Sequence, residues 1–120
     1  MIEAPTYRIV VDGLIEQRRF PSDLLTNLRT LRPGPDRYFA MANDTVELPV
    51  DKLLLSRLRH SGALQANKKM QLASEGKIDK RPPVTVRLFS SNLYIVIDGN
   101  STTANAIFSR WHTVPCVLGS

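Results

Sequence analysis

The stretch Tyr94-Ile95-Val96-Ile97-Asp98-Gly99-Asn100-Ser101-Thr102-Thr103-Ala104-Asn105-Ala106-Ile107-Phe108 constrains the fold most. It opens as a continuous apolar run, the pattern of a strand buried on both faces. Asp98-Gly99 interrupts it as a turn pair. From Ser101 the period becomes helical, with Ala104, Ile107, Phe108 and Trp111 on one face. A strand, a tight glycine turn and a helix direct free backbone N–H groups at an anion. Gly99 lets a ligand approach the backbone without a Cβ in the way. Asn100, Ser101, Thr102 and Thr103 place polar side chains where a phosphate would sit. The competing interpretation is an ordinary turn at Asp98-Gly99 with Ser101 as a simple N-cap.

Length and composition suit a single domain, residues 1–120, with one core. Hydrophobic residues make up 42% of the chain and charged residues 22%. Both shares are ordinary for a globular protein. No apolar run approaches the roughly 20 residues of a membrane span. Met1-Ile2-Glu3-Ala4-Pro5 lacks a signal-peptide pattern. The lone Cys116 has no partner for an internal disulfide. These features point to a cytoplasmic protein without a membrane partner. The two histidines, His60 and His112, lack metal-ligand spacing.

The net charge is +5, unevenly spread. Residues 1–41 hold six arginines against five acids; residues 52–87 hold nine Lys/Arg against Glu75 and Asp79. Such a block suits a polyanion, most simply DNA, through Arg57, Arg59, Lys68, Lys69, Lys80 and Arg81. The alternative is a solvated basic face without a partner.

In chain order, Tyr7–Val11 and Leu14–Phe20 flank Asp12-Gly13 and predict a hairpin. Ser22 caps a short helix whose face is Leu24, Leu25, Leu28 and Leu31, ended by Pro33-Gly34-Pro35. Tyr38–Asn43 has no clear period. Val46–Val50 alternates as a short strand, which Pro49 places at an edge. Asp51 is the expected N-cap of a helix from Lys52 to about Arg59, and Gly62 separates it from a second helix carrying Ala63, Ala66, Met70 and Ala73. Gly76 is a natural C′ residue. Pro82-Pro83 leads into a half-buried strand with Val84, Val86 and Leu88 on one side, and Ser90-Ser91-Asn92 turns into the Leu93–Ile97 strand. Thr113–Leu118 forms a last strand, with Trp111 and Cys116 in the core and His112 capping or exposed.

Leu48-Pro49-Val50-Asp51-Lys52-Leu53, Gly76-Lys77-Ile78-Asp79-Lys80-Arg81-Pro82-Pro83-Val84-Thr85-Val86, Tyr94–Asn100 and Val114-Pro115-Cys116-Val117 together resemble the ParB/sulfiredoxin-like superfamily. They follow its order of a "(I/V)PVxxL" opening, "PPVxV", "YxVIDGNHR" and a closing "IPC/IPV" strand, over about residues 46–118; residues 1–45, the hairpin and helix, form an extension. The resemblance implies a small α+β fold, a mixed sheet with helices packed on it. Relatives of this kind include CTP-binding partition domains, sulfiredoxins, free-serine kinases, ParB-like nucleases and plasmid fertility-inhibition proteins with ATPase and DNase activity. A nucleotide phosphate at the strand-glycine-helix turn is their common property, so ATP or CTP is the implied ligand here, held at Gly99, Asn100, Ser101, Thr102 and Thr103.

One departure changes the chemistry. Where the family has His-Arg or Arg-Arg, this chain has Ser101-Thr102. Neutral hydroxyls replace a charged fork, so basic groups must come from elsewhere, for instance Arg57, Arg59, Lys80 or Arg81. No cysteine lies in the turn, which excludes sulfiredoxin chemistry. Three functions remain open. The first is a DNase with associated ATPase activity, using Asp98 and Glu75 as catalytic carboxylates, Glu47 as a weaker third, and Mg²⁺ on Asp98. The second is a non-catalytic DNA- or nucleotide-binding module. The third is a regulatory or protein-interaction domain with a vestigial site.

Overall fold

The structure, a computed structural model, describes residues 5–119; Met1–Ala4, where the absence of a signal peptide was expected, and Ser120 lie outside the described residues. The fold is α+β, with a two-stranded and a five-stranded sheet and four helices. The strands are β1 (Thr6–Val11), β2 (Leu14–Arg19), β3 (Val46–Pro49), β4 (Leu53–Leu54), β5 (Val84–Ser90), β6 (Leu93–Asp98) and β7 (Thr113–Leu118). The helices are α1 (Ser22–Asn27), α2 (Pro35–Tyr38), α3 (His60–Ser74) and α4 (Asn100–Phe108). The larger sheet runs β3-β7-β5-β6-β4 and is mixed: β3/β7 and β5/β6 are antiparallel, β7/β5 and β6/β4 parallel.

The expected hairpin forms around Asp12-Gly13. Both residues have positive φ, 53° and 78°. That is the backbone of a two-residue turn matched to strand twist. Strand β1 then docks beside β4: the Leu55 N–H donates to the Arg8 carbonyl at 2.8 Å, and the Val10 N–H to the Leu55 carbonyl at 2.9 Å. Tyr7, Ile9, Phe20, Leu24, Leu28, Leu31, Tyr38 and Phe39 share one buried cluster with Val84, Val86, Val96 and Val114. The N-terminal third thus builds the same core as the rest of the chain.

Several local expectations are overturned. Residues 52–59 are not a helix capped by Asp51. Val50–Lys52 is a single 3-10 turn, and Leu53, Leu54 and Leu55 are all nearly fully buried. Three consecutive buried side chains need covering on both sides. Leu53 and Leu54 pair with Tyr94 and Ile95 of β6, and Leu55 pairs with β1, so this segment is an interior strand. Tertiary pairing here overrides helix propensity. Gly62 is not a separator but lies in the first turn of α3; a Cβ there would come within 2.9 Å of Ser101 Oγ, so glycine allows α3 and α4 to approach closely. Ser22 is the first residue of α1, whose cap is Pro21, and α1 ends before Leu28. Leu31 is buried from an extended segment instead: its N–H donates to Ser109 Oγ (2.9 Å) and its carbonyl accepts from Trp111 Nε1 (2.8 Å).

Strand β6 is not buried on both faces. Val96 is fully buried, but Ile97 is 41% exposed. Other expectations are met: β3 lies at the sheet edge, Trp111 and Cys116 are buried and His112 is exposed. Gly76 (φ 74°) ends α3, with its N–H donating to the Ala73 carbonyl and the Lys77 N–H to the Leu72 carbonyl. These two bonds form a Schellman closure.

Candidate phosphate site at the start of helix α4

Gly99, at φ 100° and ψ 24°, turns β6 into α4 and is the N-cap. The helix therefore starts at Asn100, and Ser101 is its second residue rather than the cap. The Thr103 N–H closes the first turn on the Gly99 carbonyl at 2.8 Å. The N–H groups of Asn100, Ser101 and Thr102 precede that first bond, so the helix gives them no internal acceptor.

The polar residues of this turn divide by role. Thr103 is fully buried and its hydroxyl donates to the Gly99 carbonyl (2.9 Å), which makes it structural. The Asn100 side chain is a clamp: Oδ1 accepts the Ser56 N–H (2.8 Å), and Nδ2 donates to Ser56 Oγ (2.9 Å). Ser56 Oγ in turn donates to the Val96 carbonyl (2.7 Å). Asn100 thus fixes the loop that carries Arg57 and Arg59. Thr102 Oγ1 accepts from Arg81 Nε at 3.1 Å. Asn105, fully buried, ties α4 to α3, donating to the Ala63 and Ser101 carbonyls and accepting from Asn67.

A cavity of about 240 Å³ opens at this point, lined by Arg57, Arg59, Gly62, Arg81, Asp98, Gly99, Asn100, Ser101 and Thr102. Three of the six basic residues singled out from the sequence, Arg57, Arg59 and Arg81, meet here. The other three do not. Lys68 lines a separate cavity with Arg29 and Glu75, Lys69 is exposed on the middle of α3, and Lys80 Nζ donates to the Asp36 carbonyl. Burial lowers the Arg81 pKa from its ordinary value and the nearby Asp98 opposes the shift. A guanidinium nonetheless stays charged at any physiological pH.

Asp98 faces the same cavity, but Glu75 does not; it pairs with Lys77 at 3.1 Å. Glu47 lies on β3, where its Oε1 accepts from the Thr113 hydroxyl. The candidate carboxylates are therefore not brought together. Among the described residues no group of three or more His, Cys, Asp or Glu side chains converges on a metal-sized space. Asp98 is the one carboxylate-bearing residue in the cavity lining, beside Arg57, Arg59 and Arg81. Such a set suits an anion and does not suit Mg²⁺ held by protein ligands.

Sequence patterns missed two residues that shape this site. Ser56 has no signature, since its role depends on a partner 44 residues away. Gly62 looked like punctuation because glycine marks turns more often than helix–helix contacts. A larger cavity of about 800 Å³ lies elsewhere, between β1 and the start of β7, lined by Tyr7, Leu53, Ile107 and Trp111 with Arg8 and His112 at its polar parts. It has more room but fewer convergent charges, so the smaller cavity carries the chemical interpretation.

The chain matches no protein-family profile, and no curated protein is significantly similar to it. Among the described residues no helix is long and apolar enough to cross a membrane.

Proposed function

We propose that this protein binds phosphate groups of a nucleotide or of DNA in the cavity at the start of α4, as a binding module. The observation that supports this is one cavity lined jointly by Arg57, Arg59, Arg81 and the first residues of α4. Guanidinium forks and free helix amides are the two commonest phosphate donors a protein offers. These arginines stand in for the charge that Ser101-Thr102 cannot provide, consistent with the resemblance to the ParB/sulfiredoxin-like superfamily. ATP, CTP and DNA are the ligands to test. Fluorescence anisotropy with a labelled DNA duplex and labelled ATP and CTP, on the parent and on Arg81→Ala, checks the proposal. Binding that weakens in Arg81→Ala supports it; binding unchanged by that substitution overturns it.

A metal-dependent DNase with ATPase activity is a second reading, favoured by one observation: the Asp98 carboxylate borders the cavity where a phosphate would lie. Incubation with plasmid DNA, with and without Mg²⁺ and ATP, beside an Asp98→Asn control, decides between the readings. Nicking that needs both Mg²⁺ and Asp98 selects the enzyme.

A further inference from the structure

We propose, building on the phosphate-binding reading, that the cavity takes a terminal phosphate dianion rather than an internal phosphodiester, and that Arg81, positioned by Thr102, is the residue that reads it. Charge is the first ground. Three guanidinium groups against the single Asp98 carboxylate leave two net positive charges around the cavity. A phosphate monoester carries about −1.5 to −2 at neutral pH and presents three terminal oxygens. An internal phosphodiester carries a single charge and two free oxygens, so it leaves part of that positive charge uncompensated.

Space is the second ground. The cavity measures about 240 Å³. That is roughly eight waters' share of liquid volume. It has room for a phosphate group and opens to solvent. A chain end enters such a space directly, whereas an internal diester must bring both flanking sugars to its mouth.

The third ground is the fixed geometry of Arg81. Its N–H donates to the Tyr38 carbonyl (2.7 Å) and its carbonyl accepts from the Ala40 N–H (2.8 Å), a bridge to the N-terminal third. Its Nε donates to Thr102 Oγ1, and Thr102 is only 2% exposed. Among the described residues the Arg81 guanidinium makes no other hydrogen bond. Nη1 and Nη2 therefore remain for two oxygens of one phosphate. Arg57 and Arg59, by contrast, are exposed on the loop and make no side-chain hydrogen bond or ion pair among the described residues. They add charge; Arg81 adds a preset direction, which lowers the ordering cost of binding.

The test measures affinity for matched pairs of probes: a 3′-labelled single strand bearing a 5′-phosphate against the same strand with a 5′-hydroxyl, and ATP against cyclic AMP, a diester. The parent is expected to prefer the phosphate-ended probe of at least one pair by roughly tenfold, the scale of one strong charge-assisted contact. The pair that shows the preference identifies the source of the phosphate. Thr102→Val and Arg81→Lys should lose most of the preference, and Thr102→Ser should keep it. Lys69→Ala, outside the cavity, should leave the preference in place. Thermal unfolding of each variant checks the fold, and Thr102→Ser with Arg81→Lys carries the test if Thr102→Val does not fold. Equal affinity for both members of each pair, still dependent on the three arginines, overturns the terminal preference and leaves phosphate binding standing. A preference that survives both Arg81→Lys and Thr102→Val overturns the role of Arg81. Affinities indifferent to all three arginines overturn both proposals.

Discussion

Replacing Gly99 with alanine separates two costs that the structure allows to be estimated apart. The first is backbone strain, since Gly99 sits at φ 100°. An L-residue held in that region loses about 1–2 kcal/mol. The second is steric. A Cβ at Gly99 would lie 3.1 Å from Val84 Cγ2 and 3.4 Å from Val84 Cα and Cβ. Val84 is buried in β5. The buried Val84 must therefore give by a few tenths of an ångström, at about 1–2 kcal/mol. Alanine also restricts the unfolded chain, which offsets about 0.4–1 kcal/mol. The net cost is about 2–3 kcal/mol, or a Tm lowered by roughly 8–15 °C for a chain of this size. Gly76 is the internal control: its φ is also positive, at 74°, but a Cβ there meets nothing within 4 Å. Gly76→Ala should therefore cost only about 1 kcal/mol, a few degrees of Tm. Paired calorimetric scans provide the measurement. If Gly99→Ala unfolds within about 2 °C of Gly76→Ala, the close packing of the turn on Val84 has no energetic weight and the site geometry is wrong.

Three further predictions concern charge. Replacing Lys68 and Lys69 together should flatten the salt dependence of DNA binding by up to about two phosphate contacts. ATP affinity should stay unchanged, since neither lysine lines the arginine cavity; an unchanged salt slope removes that part of α3 from the DNA interface. Asp98→Asn should tighten metal-free phosphate binding by roughly threefold to tenfold, because a like charge beside the anion is removed; weaker metal-free binding in Asp98→Asn contradicts the electrostatic account. Burial, with Glu47 adding to it, pushes the Cys116 thiol up to about 12, so the folded state holds its proton above the ordinary thiol range while the unfolded chain releases it. Its contribution to stability is therefore intact below the ordinary thiol pKa and lost as pH rises towards about 12. Denaturant titrations of the parent and Cys116→Ala between neutral and alkaline pH will register that trend as converging stabilities.

Local chemistry made some elements legible and not others. The Asp12-Gly13 hairpin, the Gly76 helix end and the β6–Gly99–α4 unit each rest on turn residues acting within a few positions, and each forms. The stretch 52–59 failed because its leucines are equally compatible with helix and strand; the partners that decide, Arg8, Tyr94 and Ile95, are distant in sequence on either side. The exposure of Ile97 was hidden for a related reason, since an apolar run does not reveal which of its alternate positions the rest of the fold covers. At the site, Gly99 and Asp98 stand at the strand-to-helix turn that the sequence indicates, and Arg57, Arg59 and Arg81 line the same cavity. The roles of Asn100, Thr102 and Thr103 were legible only as polarity. Which hydroxyl or amide faces a ligand, and which one holds Ser56, Arg81 or the Gly99 carbonyl, depends on three-dimensional partners.

The central claim is that the anion sits among Arg57, Arg59 and Arg81 at the start of α4. An amide-resolved NMR titration of the labelled protein with ATP and with a short DNA duplex tests it most directly. The predicted result is shift changes concentrated at Gly99–Thr102 and at residues 57–62, saturating with ligand and absent in the Arg57→Ala/Arg59→Ala/Arg81→Ala variant. No shift at these amides, or changes confined to the cavity around Tyr7 and Trp111, would contradict it.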